Sequence, residues 1–172
     1  MFKNAKVVVT GGSGFVGTHF INELLSRGAN VRTHTHVNPL KIQDDRIEVI
    51  DNIDLEKIED AITLIEGADY VVHTAGYIGH PSSIATDFQI GLNQIVTATN
   101  VIEACVKTGV KGFVDLNSST GYPDRREPIT EDEYWDEEPY ISYYGYGWMR
   151  RYREKVFEHA SHLSDMKIGI AR

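Results

Sequence analysis

The stretch AKVVVTGGSGFVG, residues 5–17, decides the fold of this 172-residue chain. It opens with three valines, residues 7–9, whose β-branched side chains favour a strand that is buried on both faces. A glycine-rich turn follows, and apolar residues then recur at helical spacing, so that Gly17 falls in the first turn of a helix. The sequence therefore predicts a strand, a tight turn and a helix in immediate succession.

The turn between that strand and that helix has the features of a phosphate-binding site. The first N–H groups of a helix have no acceptor within the helix, and the helix dipole adds partial positive charge there. Gly11, Gly14 and Gly17 remove side chains from the surface that a phosphate must approach. We expect a diphosphate to bind at this turn, with Phe15 and Val16 as part of the same site.

The glycine spacing points to a particular family. It is G-x-x-G-x-x-G, and with Thr10 before it the segment TGGSGFVG resembles the fingerprint of the extended short-chain dehydrogenase/reductase family, which includes nucleotide-sugar epimerases and dehydratases. The resemblance covers nearly the whole chain and implies one NAD(P)-binding Rossmann domain, residues 1–172. A plain tight turn between strand and helix is the alternative interpretation of the glycines.

Composition and charge limit the classes of protein to consider. A hydrophobic content of 41% with 24% charged residues is ordinary for a globular chain that forms one domain. No apolar stretch is long enough to span a bilayer, the first strand begins too early for a signal peptide, and the lone Cys105 has no intrachain partner, so we expect a cytoplasmic protein without a membrane partner. The net charge of −8 argues against a nucleic-acid partner. Eight acids lie in residues 124–139, which we expect to form a solvated loop.

Strand and helix patterns alternate along the rest of the chain. We predict further strands at 30–36, 47–50, 69–74, 110–116 and 167–171, and helices at about 55–66, 83–107 and 144–163. The alternation predicts an α/β fold, a Rossmann-type doubly wound parallel sheet of about six strands. Ligands in such folds bind beyond the carboxyl ends of the strands. The resemblance implies that a C-terminal substrate lobe would follow, and we expect this chain to be the cofactor-binding portion without that lobe.

The end of the second strand is the expected ribose site. The resemblance places Thr35 where NAD enzymes usually carry an acid for the ribose 2′-hydroxyl, with His36 beside it as a further cofactor-binding residue. That acid is missing and several basic residues lie near, which favours NADP slightly over NAD: Arg32, His34, His36 and Lys41. His34 and His36 share a strand face, but no third ligand accompanies them, so we expect no metal site.

The ends of the third and fourth strands are expected to contact the cofactor. A stretch DNID that begins at Asp51 resembles the family's G-D-L-x-D segment, which implies that Asp51 or Asn52 binds the adenine amino group. Asp54 is equally suited to be the N-cap of the next helix. The sequence HTAG after the fourth strand resembles the family's H-x-A-G turn, in which the backbone passes close to the cofactor, here at Ala75 and Gly76.

A hydroxyl-rich turn after the fifth strand supplies the first expected catalytic residue. The segment NSSTGYP is similar to the family's S-S-x-x-V-Y-G, in which the hydroxyl four residues before the tyrosine bonds the reacting oxygen. Counting back from Tyr122 gives Ser118, with Ser119 as the alternative. A simple polar turn is the other interpretation.

The last helix supplies the second part of the expected catalytic site. The family's signature is Y-G-x-S-K-x-x-x-E, and only Tyr146 among the clustered tyrosines has glycine one residue later and glutamate eight residues later. Arg150 takes the place of the family's lysine, four residues on and therefore on the same helix face. A fixed cation beside the phenol favours phenolate, which suits general acid–base chemistry. The alternative is an aromatic face packed on the sheet, with Arg150 in a surface ion pair.

The resemblance implies an NAD(P)-dependent epimerase or reductase of a small-molecule substrate, a nucleotide-linked sugar, with Tyr146 exchanging a proton while hydride moves to or from the nicotinamide. Residues 76–80 are expected to line the substrate pocket. Two alternatives stay open: a nucleotide-binding module without turnover, since arginine replaces the lysine, and a reductase of a non-sugar carbonyl. A homodimer through the two long helices is implied by the resemblance alone.

Overall fold

Six parallel strands form one sheet in the order β3-β2-β1-β4-β5-β6, as seen in a computed structural model that describes residues 2–36, 38–76 and 87–172. The strands are β1 (Lys6–Thr10), β2 (Asn30–His34), β3 (Ile47–Ile50), β4 (Tyr70–His73), β5 (Gly112–Leu116) and β6 (Lys167–Ala171). The helices are α1 (Phe15–Ser26), α2 (Ile58–Ile65), α3 (Phe88–Thr108) and α4 (Tyr144–Leu163). This is the doubly wound parallel sheet that the alternation predicted, and the strand order reverses between β1 and β4.

The valine run of β1 separates two apolar clusters. Val7 and Val9 pack with Ile21 of α1 on one face of the sheet. Val8 packs in the larger cluster on the other face, which includes residues of α2, α3 and α4 such as Phe157. All three valines are 0% exposed, so the prediction of a strand buried on both faces is confirmed. Helices thus cover both faces and leave the carboxyl ends of the strands as the ligand-binding edge.

Several strand ends differ from the predicted bounds. β2 ends at His34, two residues early, because its partner strand β3 ends at Ile50, which is paired with His34. The strands predicted at 69–74 and 110–116 lose one or two residues at their ends. The cause is general, since propensity continues past the point where the neighbouring strand stops offering partners.

Two helix starts also differ from the prediction. α2 begins at Ile58 because residues 54–57 first form a turn, in which the Asp54 carboxylate accepts the N–H of Glu56 at 3.1 Å. Asp54 is therefore not the N-cap of α2, a position that Lys57 holds. α3 begins at Phe88 after Asp87, whose carboxylate caps it, and the part of this helix predicted before residue 87 lies outside the described residues.

The acidic loop between β5 and α4 packs against the turn at Gly121 and against α4. Tyr134 is 0% exposed, and a Cβ on Gly121 would lie 1.9 Å from its hydroxyl oxygen. Pro139 packs so close to Gly147 of α4 that a Cβ there would lie 2.5 Å from the proline Cβ. Arg125 binds three of the loop's acids, Glu133, Asp136 and Glu137. The loop is thereby held against the helix that carries Tyr146.

Candidate functional site

The glycine turn brings three chain segments into contact at the end of β1. Gly11 adopts a φ of 69°, in the left-handed region that favours glycine. A Cβ on Gly11 would lie 2.8 Å from the Cα of Ala75, and one on Gly17 would lie 2.3 Å from the carbonyl oxygen of Gly11. Larger residues at these two positions would therefore push the turn away from β4 and α1.

The N–H groups of Phe15 and Val16, at the start of α1, are placed for a ligand, whereas the N–H groups just before them are already bonded. The N–H of Gly14 donates to the carbonyl of Gly11 at 2.9 Å, and the N–H of Gly11 donates to Nε2 of His34 at 3.1 Å. Phe15 and Val16 are the first residues of α1, which has no side-chain cap, and N–H groups at these positions have no acceptor within a helix. Their side chains are exposed. This surface, free of side chains at Gly14, fits a phosphate.

Thr10 joins the ends of β1 and β4. Its hydroxyl oxygen accepts the N–H groups of Thr74 and Ala75, each at 3.1 Å, and lies 2.8 Å from Nδ1 of His73. Burial lowers the pKa of His73 well below its usual range, and the nearby Arg153 lowers it further. His73 is therefore a neutral structural residue. No sequence pattern indicates that Thr10 holds the turn at Ala75 in place.

The expected adenosine residues lie around two cavities at the end of β2. One, of about 160 Å³, is bordered by His34, His36, Ala75 and Gly76. The other, of about 380 Å³, is bordered by Thr35, His36 and Asp51. Asn52 is exposed and turns the chain with a φ of 60°. The structure thus brings the expected cofactor-binding residues of these strand ends near one another. Residues 77–80, which were expected to line the substrate pocket, lie outside the described residues.

Two of the basic residues near the expected ribose site are directed elsewhere. The guanidinium of Arg32 donates to Glu48 at 2.8 Å and to two carbonyl groups at the C-terminal end of α2, at 3.0 and 2.8 Å. Burial, followed by the charge of His36, lowers the pKa of His34 to about 4, so its ring is neutral at pH 7. Only His36 and Lys41 of that basic set stay exposed.

Tyr146 and Arg150 form a buried pair on one face of α4. Tyr146 is 6% exposed and Arg150 is 5% exposed. The Nη2 group of Arg150 donates a hydrogen bond to the phenol oxygen of Tyr146, and the guanidinium carbon lies 4.8 Å from the ring centre. Nε of Arg150 is also buried and has no hydrogen-bond partner in the described part of the chain. A cavity of about 260 Å³ borders Tyr146, between the first turns of α3 and α4.

Ser118 precedes a short 3-10 helix, Ser119–Gly121, and its hydroxyl orientation is set by Thr120. The Ser118 Oγ accepts the N–H of Thr120 at 3.2 Å and is bonded to the Thr120 hydroxyl at 2.9 Å. Because the oxygen accepts from Thr120, the Ser118 proton is left to donate to a ligand. A Cβ on Gly147 would lie 2.6 Å from the Thr120 carbonyl oxygen, so this turn packs directly against the helical turn of Tyr146. Sequence reasoning did not identify Thr120, although a serine hydroxyl that accepts the backbone N–H two residues later is typical of such turns.

A polar network next to the Tyr146–Arg150 pair was also not predicted. Asn117 donates to the carbonyl of Arg150 at 3.2 Å and to the carboxylate of Glu154. Glu154 in turn accepts two bonds from Arg172, at 2.9 and 2.7 Å. These contacts fix the turn of α4 that carries Arg150 against the ends of β5 and β6.

A buried ion pair stands beside this network. Arg153 is 2% exposed, Asp115 of β5 is 0% exposed, and the guanidinium donates to both carboxylate oxygens. Nothing in the described ranges offers three histidine, cysteine, aspartate or glutamate side chains arranged to hold a metal. None of the helices that the structure describes is long and apolar enough to cross a membrane.

Comparison with known proteins identifies the family to which this chain belongs. Residues 7–172 match the family model described as NAD dependent epimerase/dehydratase family. A UDP-glucose 4-epimerase of Caenorhabditis elegans is 30% identical over 148 residues, 73% of this chain and 41% of that protein. A 3-beta-hydroxysteroid dehydrogenase of Mycolicibacterium neoaurum is 32% identical over 133 residues, 74% of this chain and 36% of that protein. This chain therefore spans about 40% of the length of such relatives.

Solved structures share the fold. The epimerase Mth375 from Methanothermobacter thermautotrophicus superposes with a TM-score of 0.84 at 24% identity. The superposition covers 99% of this chain and 52% of that one. The six-stranded Rossmann-type architecture is thus shared with about half of a larger known structure.

Proposed function

Because this chain belongs to the NAD dependent epimerase/dehydratase family, we propose that it binds NAD along the carboxyl ends of its strands and carries the proton-transfer residues of a nucleotide-sugar epimerase or reductase. The observation that carries the proposal is the buried hydrogen bond from Arg150 to Tyr146. A phenol used only for packing has no need of a buried cation on its oxygen, and burying that cation is costly.

The residues at the strand ends fit the cofactor. The diphosphate would lie on the N–H groups of Phe15 and Val16, where Gly14 presents no side chain. The adenosine would lie near the ends of β2 and β3, and the close contact of Gly11 with Ala75 keeps the floor of the site flat. A bound nicotinamide supplies the acceptor or donor of a hydride, chemistry that no amino-acid side chain offers.

Side chains of this chain would carry out the proton transfer. In the oxidative direction the Tyr146 phenolate takes the hydroxyl proton of the substrate as the carbinol C–H bond breaks and the C=O bond forms. In the reductive direction the phenol returns that proton to the alkoxide oxygen. Ser118 donates a hydrogen bond to the same substrate oxygen, since its own oxygen already accepts from Thr120.

Arg150 would keep the positive charge that the family's lysine provides. Its Nη2 group bonds the phenol oxygen and stabilises the phenolate, while the buried Nε has no hydrogen-bond partner among the described residues. A lysine would offer one ammonium group in place of this planar set of donors. A UDP-glucose 4-epimerase among the relatives supports a nucleotide sugar as the substrate class.

A second candidate is the reduction of a non-sugar carbonyl. The wall of the cavity beside Tyr146 includes the apolar side chains of Phe88, Ile141 and Met149. Such a wall suits an apolar substrate, and a 3-beta-hydroxysteroid dehydrogenase is among the relatives.

Calorimetry and turnover together test the proposal. Isothermal titration with NAD⁺ is expected to give a measurable dissociation constant for wild type and the same constant for Tyr146→Phe. Incubation with UDP-glucose and NAD⁺ is expected to yield an epimerised or oxidised sugar with wild type, and at least about 100-fold less with Tyr146→Phe. If both proteins bind NAD⁺ and neither turns over UDP-glucose or a hydroxysteroid, the chain is a binding module without catalysis.

A further inference from the structure

We propose that Arg151 is a positioning residue, which holds the turn of Ser118 in the place that proton transfer with Tyr146 requires. The inference rests on the proposed function, because it concerns the placement of one catalytic side chain relative to the other. Arg151 acts through Ser118, without touching the reacting atoms.

Two neighbouring faces of α4 carry the catalytic pair and a pair of contacts with the loop after β5. Tyr146 and Arg150 lie four residues apart on the first face. Gly147 and Arg151 also lie four residues apart, on the face next to it. The helix backbone fixes these two faces relative to each other. A group bound to the second face is therefore held at a defined place relative to the phenol oxygen.

The turn that follows Ser118 is bound to the second face at both of its residues. A Cβ on Gly147 would lie 2.6 Å from the carbonyl oxygen of Thr120. One residue later in the turn, the carbonyl oxygen of Gly121 accepts a hydrogen bond from Nε of Arg151 at 2.8 Å. Within the turn, the N–H of Gly121 donates to the carbonyl of Ser118 at 3.4 Å, and the N–H of Thr120 donates to the Ser118 Oγ at 3.2 Å. A displacement of Gly121 is therefore passed to the Ser118 hydroxyl.

Packing alone does not explain an arginine at position 151. Arg151 is 1% exposed, and its Nη2 group has no hydrogen-bond partner among the described residues. Its guanidinium carbon lies 5.2, 5.6 and 5.1 Å from the ring centres of Tyr134, Trp135 and Trp148. An apolar side chain could pack against these rings without the cost of removing a charge from water. What the arginine adds is the bond to the Gly121 carbonyl, with its guanidinium held in place by the rings.

The chemical step depends on the distance that this bond sets. Ser118 and Tyr146 must both reach the same substrate oxygen, and a misplacement of about 1 Å is enough to reduce a rate by about 100-fold. Without the bond, the turn keeps its packing against Gly147 but loses its hydrogen bond to Arg151. The diphosphate site at the start of α1 lies outside these contacts, so NAD⁺ affinity should not change.

Turnover of UDP-glucose by the whole chain with NAD⁺ tests the inference. Arg151→Met keeps a long side chain against the three rings but has no donor for the Gly121 carbonyl. Its kcat is expected to fall by about 100-fold, while KM and the NAD⁺ dissociation constant stay within about threefold of the wild-type values. Arg151→Lys keeps a donor and is expected to retain a kcat within about tenfold of wild type.

A double variant separates positioning from a general loss of structure. In Ser118→Ala the hydroxyl that Arg151 places is gone, so the further change Arg151→Met is expected to alter kcat by less than about threefold. A purely structural defect would lower kcat by the same factor in both backgrounds. If Arg151→Met does not fold, Arg151→Lys allows the same comparison, and its smaller loss should again disappear in the Ser118→Ala protein.

Lys155→Met is the matched control. Lys155 lies on the same helix with its ammonium nitrogen 4.7 Å from the ring centre of Trp135, but it donates to Glu158 at 2.8 Å and not to the turn. This variant removes a cation from the same group of rings and is expected to leave kcat unchanged. Circular dichroism and thermal melting check that each variant is folded.

The possible failures are distinguishable. A wild-type kcat in folded Arg151→Met overturns the inference, and so does an equal fractional loss in the two Ser118 backgrounds. A wild type that binds NAD⁺ but turns over neither UDP-glucose nor a hydroxysteroid overturns the proposed function itself, and the inference with it.

Discussion

The guanidinium of Arg150 donates to the phenol oxygen of Tyr146, one helical turn earlier on α4, and both side chains are buried. The i to i+4 spacing brings them to one helix face, and the packing of Gly147 against Thr120 fixes that face toward the turn of Ser118. This is the arrangement that the proposed general acid–base role of Tyr146 requires.

The charge of Arg150 should be more important than its shape for turnover. Arg150→Lys is expected to retain activity within about tenfold, because the ammonium group still supports the phenolate, whereas Arg150→Met is expected to lose about 100-fold or more. Turnover of UDP-glucose measures both, with NAD⁺ affinity as a second readout. Equal activity of Arg150→Met and wild type would remove the arginine from the mechanism.

Gly17 should tolerate no side chain. Gly17→Ala places a Cβ 2.3 Å from the carbonyl oxygen of Gly11, and because that oxygen is backbone the turn itself must move. We expect the melting temperature to fall and NAD⁺ affinity to drop by at least about tenfold, since the amides of Phe15 and Val16 move with the turn. Gly145→Ala is the control, because nothing lies within 4 Å of a Cβ there and alanine favours a helix by about 1 kcal/mol. A Gly17→Ala protein with normal melting and NAD⁺ affinity would contradict this account of the turn.

The ion pair of Asp115 and Arg153 should contribute strongly to stability. Asp115→Ala leaves the guanidinium of Arg153 buried without its carboxylate partner, which is expected to lower the free energy of unfolding by about 3–5 kcal/mol. Urea denaturation measures the change. Glu103→Gln, which removes the exposed pair with Lys107, is expected to change it by less than about 1 kcal/mol. Similar losses of unfolding free energy in the two variants would show that burial does not increase the contribution of the Asp115–Arg153 pair to stability.

Stability should fall when His34 is titrated. Its pKa is lowered from 6.5 to about 4 in the folded chain, mainly by burial, so the unfolded chain binds more protons between these values. The free energy of unfolding is therefore unaffected by this group above pH 6.5 and decreases from there toward pH 4, by up to about 3 kcal/mol at 1.36 kcal/mol per pH unit. His73, whose pKa is also lowered by burial, adds a loss of the same sign.

Urea titrations at pH 7 and pH 5 check this dependence in wild type and in His34→Gln. The variant keeps a side-chain acceptor for the N–H of Gly11 but has no titrating ring, so its loss between the two pH values should be smaller. An identical loss in both proteins would assign the effect to other groups.

The fold was predictable because its signals are local. The valine run, the glycine turn and the first helical residues lie within one contiguous stretch, and all of them are where the sequence placed them. The spacing of Tyr146 and Arg150 is local in the same sense, since four residues on a helix define one face. The prediction of Ser118 as the catalytic hydroxyl rests on the resemblance, which counts back four residues from Tyr122.

The contacts that could not be predicted join distant parts of the chain. Thr35 meets Asp51 across 16 residues, and Arg153 meets Asp115 across 38. The polar run RRYRE in α4 has the composition of a solvated face, yet Arg151 and Arg153 are buried. Residue type alone does not reveal such burial, because it depends on acceptors supplied by β5 and by the loop that follows it.

The single oxygen shared by two amides at the end of β1 also has a dynamic consequence. Thr10 accepts from Thr74 and Ala75, which follow it by 64 and 65 residues, so neither strand end can fray without releasing the other. The protons on these two nitrogens should exchange with deuterated solvent only when the whole domain unfolds. The backbone at Thr10, Thr74 and Ala75 should then be ordered before a nucleotide binds. Little conformational entropy should therefore be lost from this segment on binding.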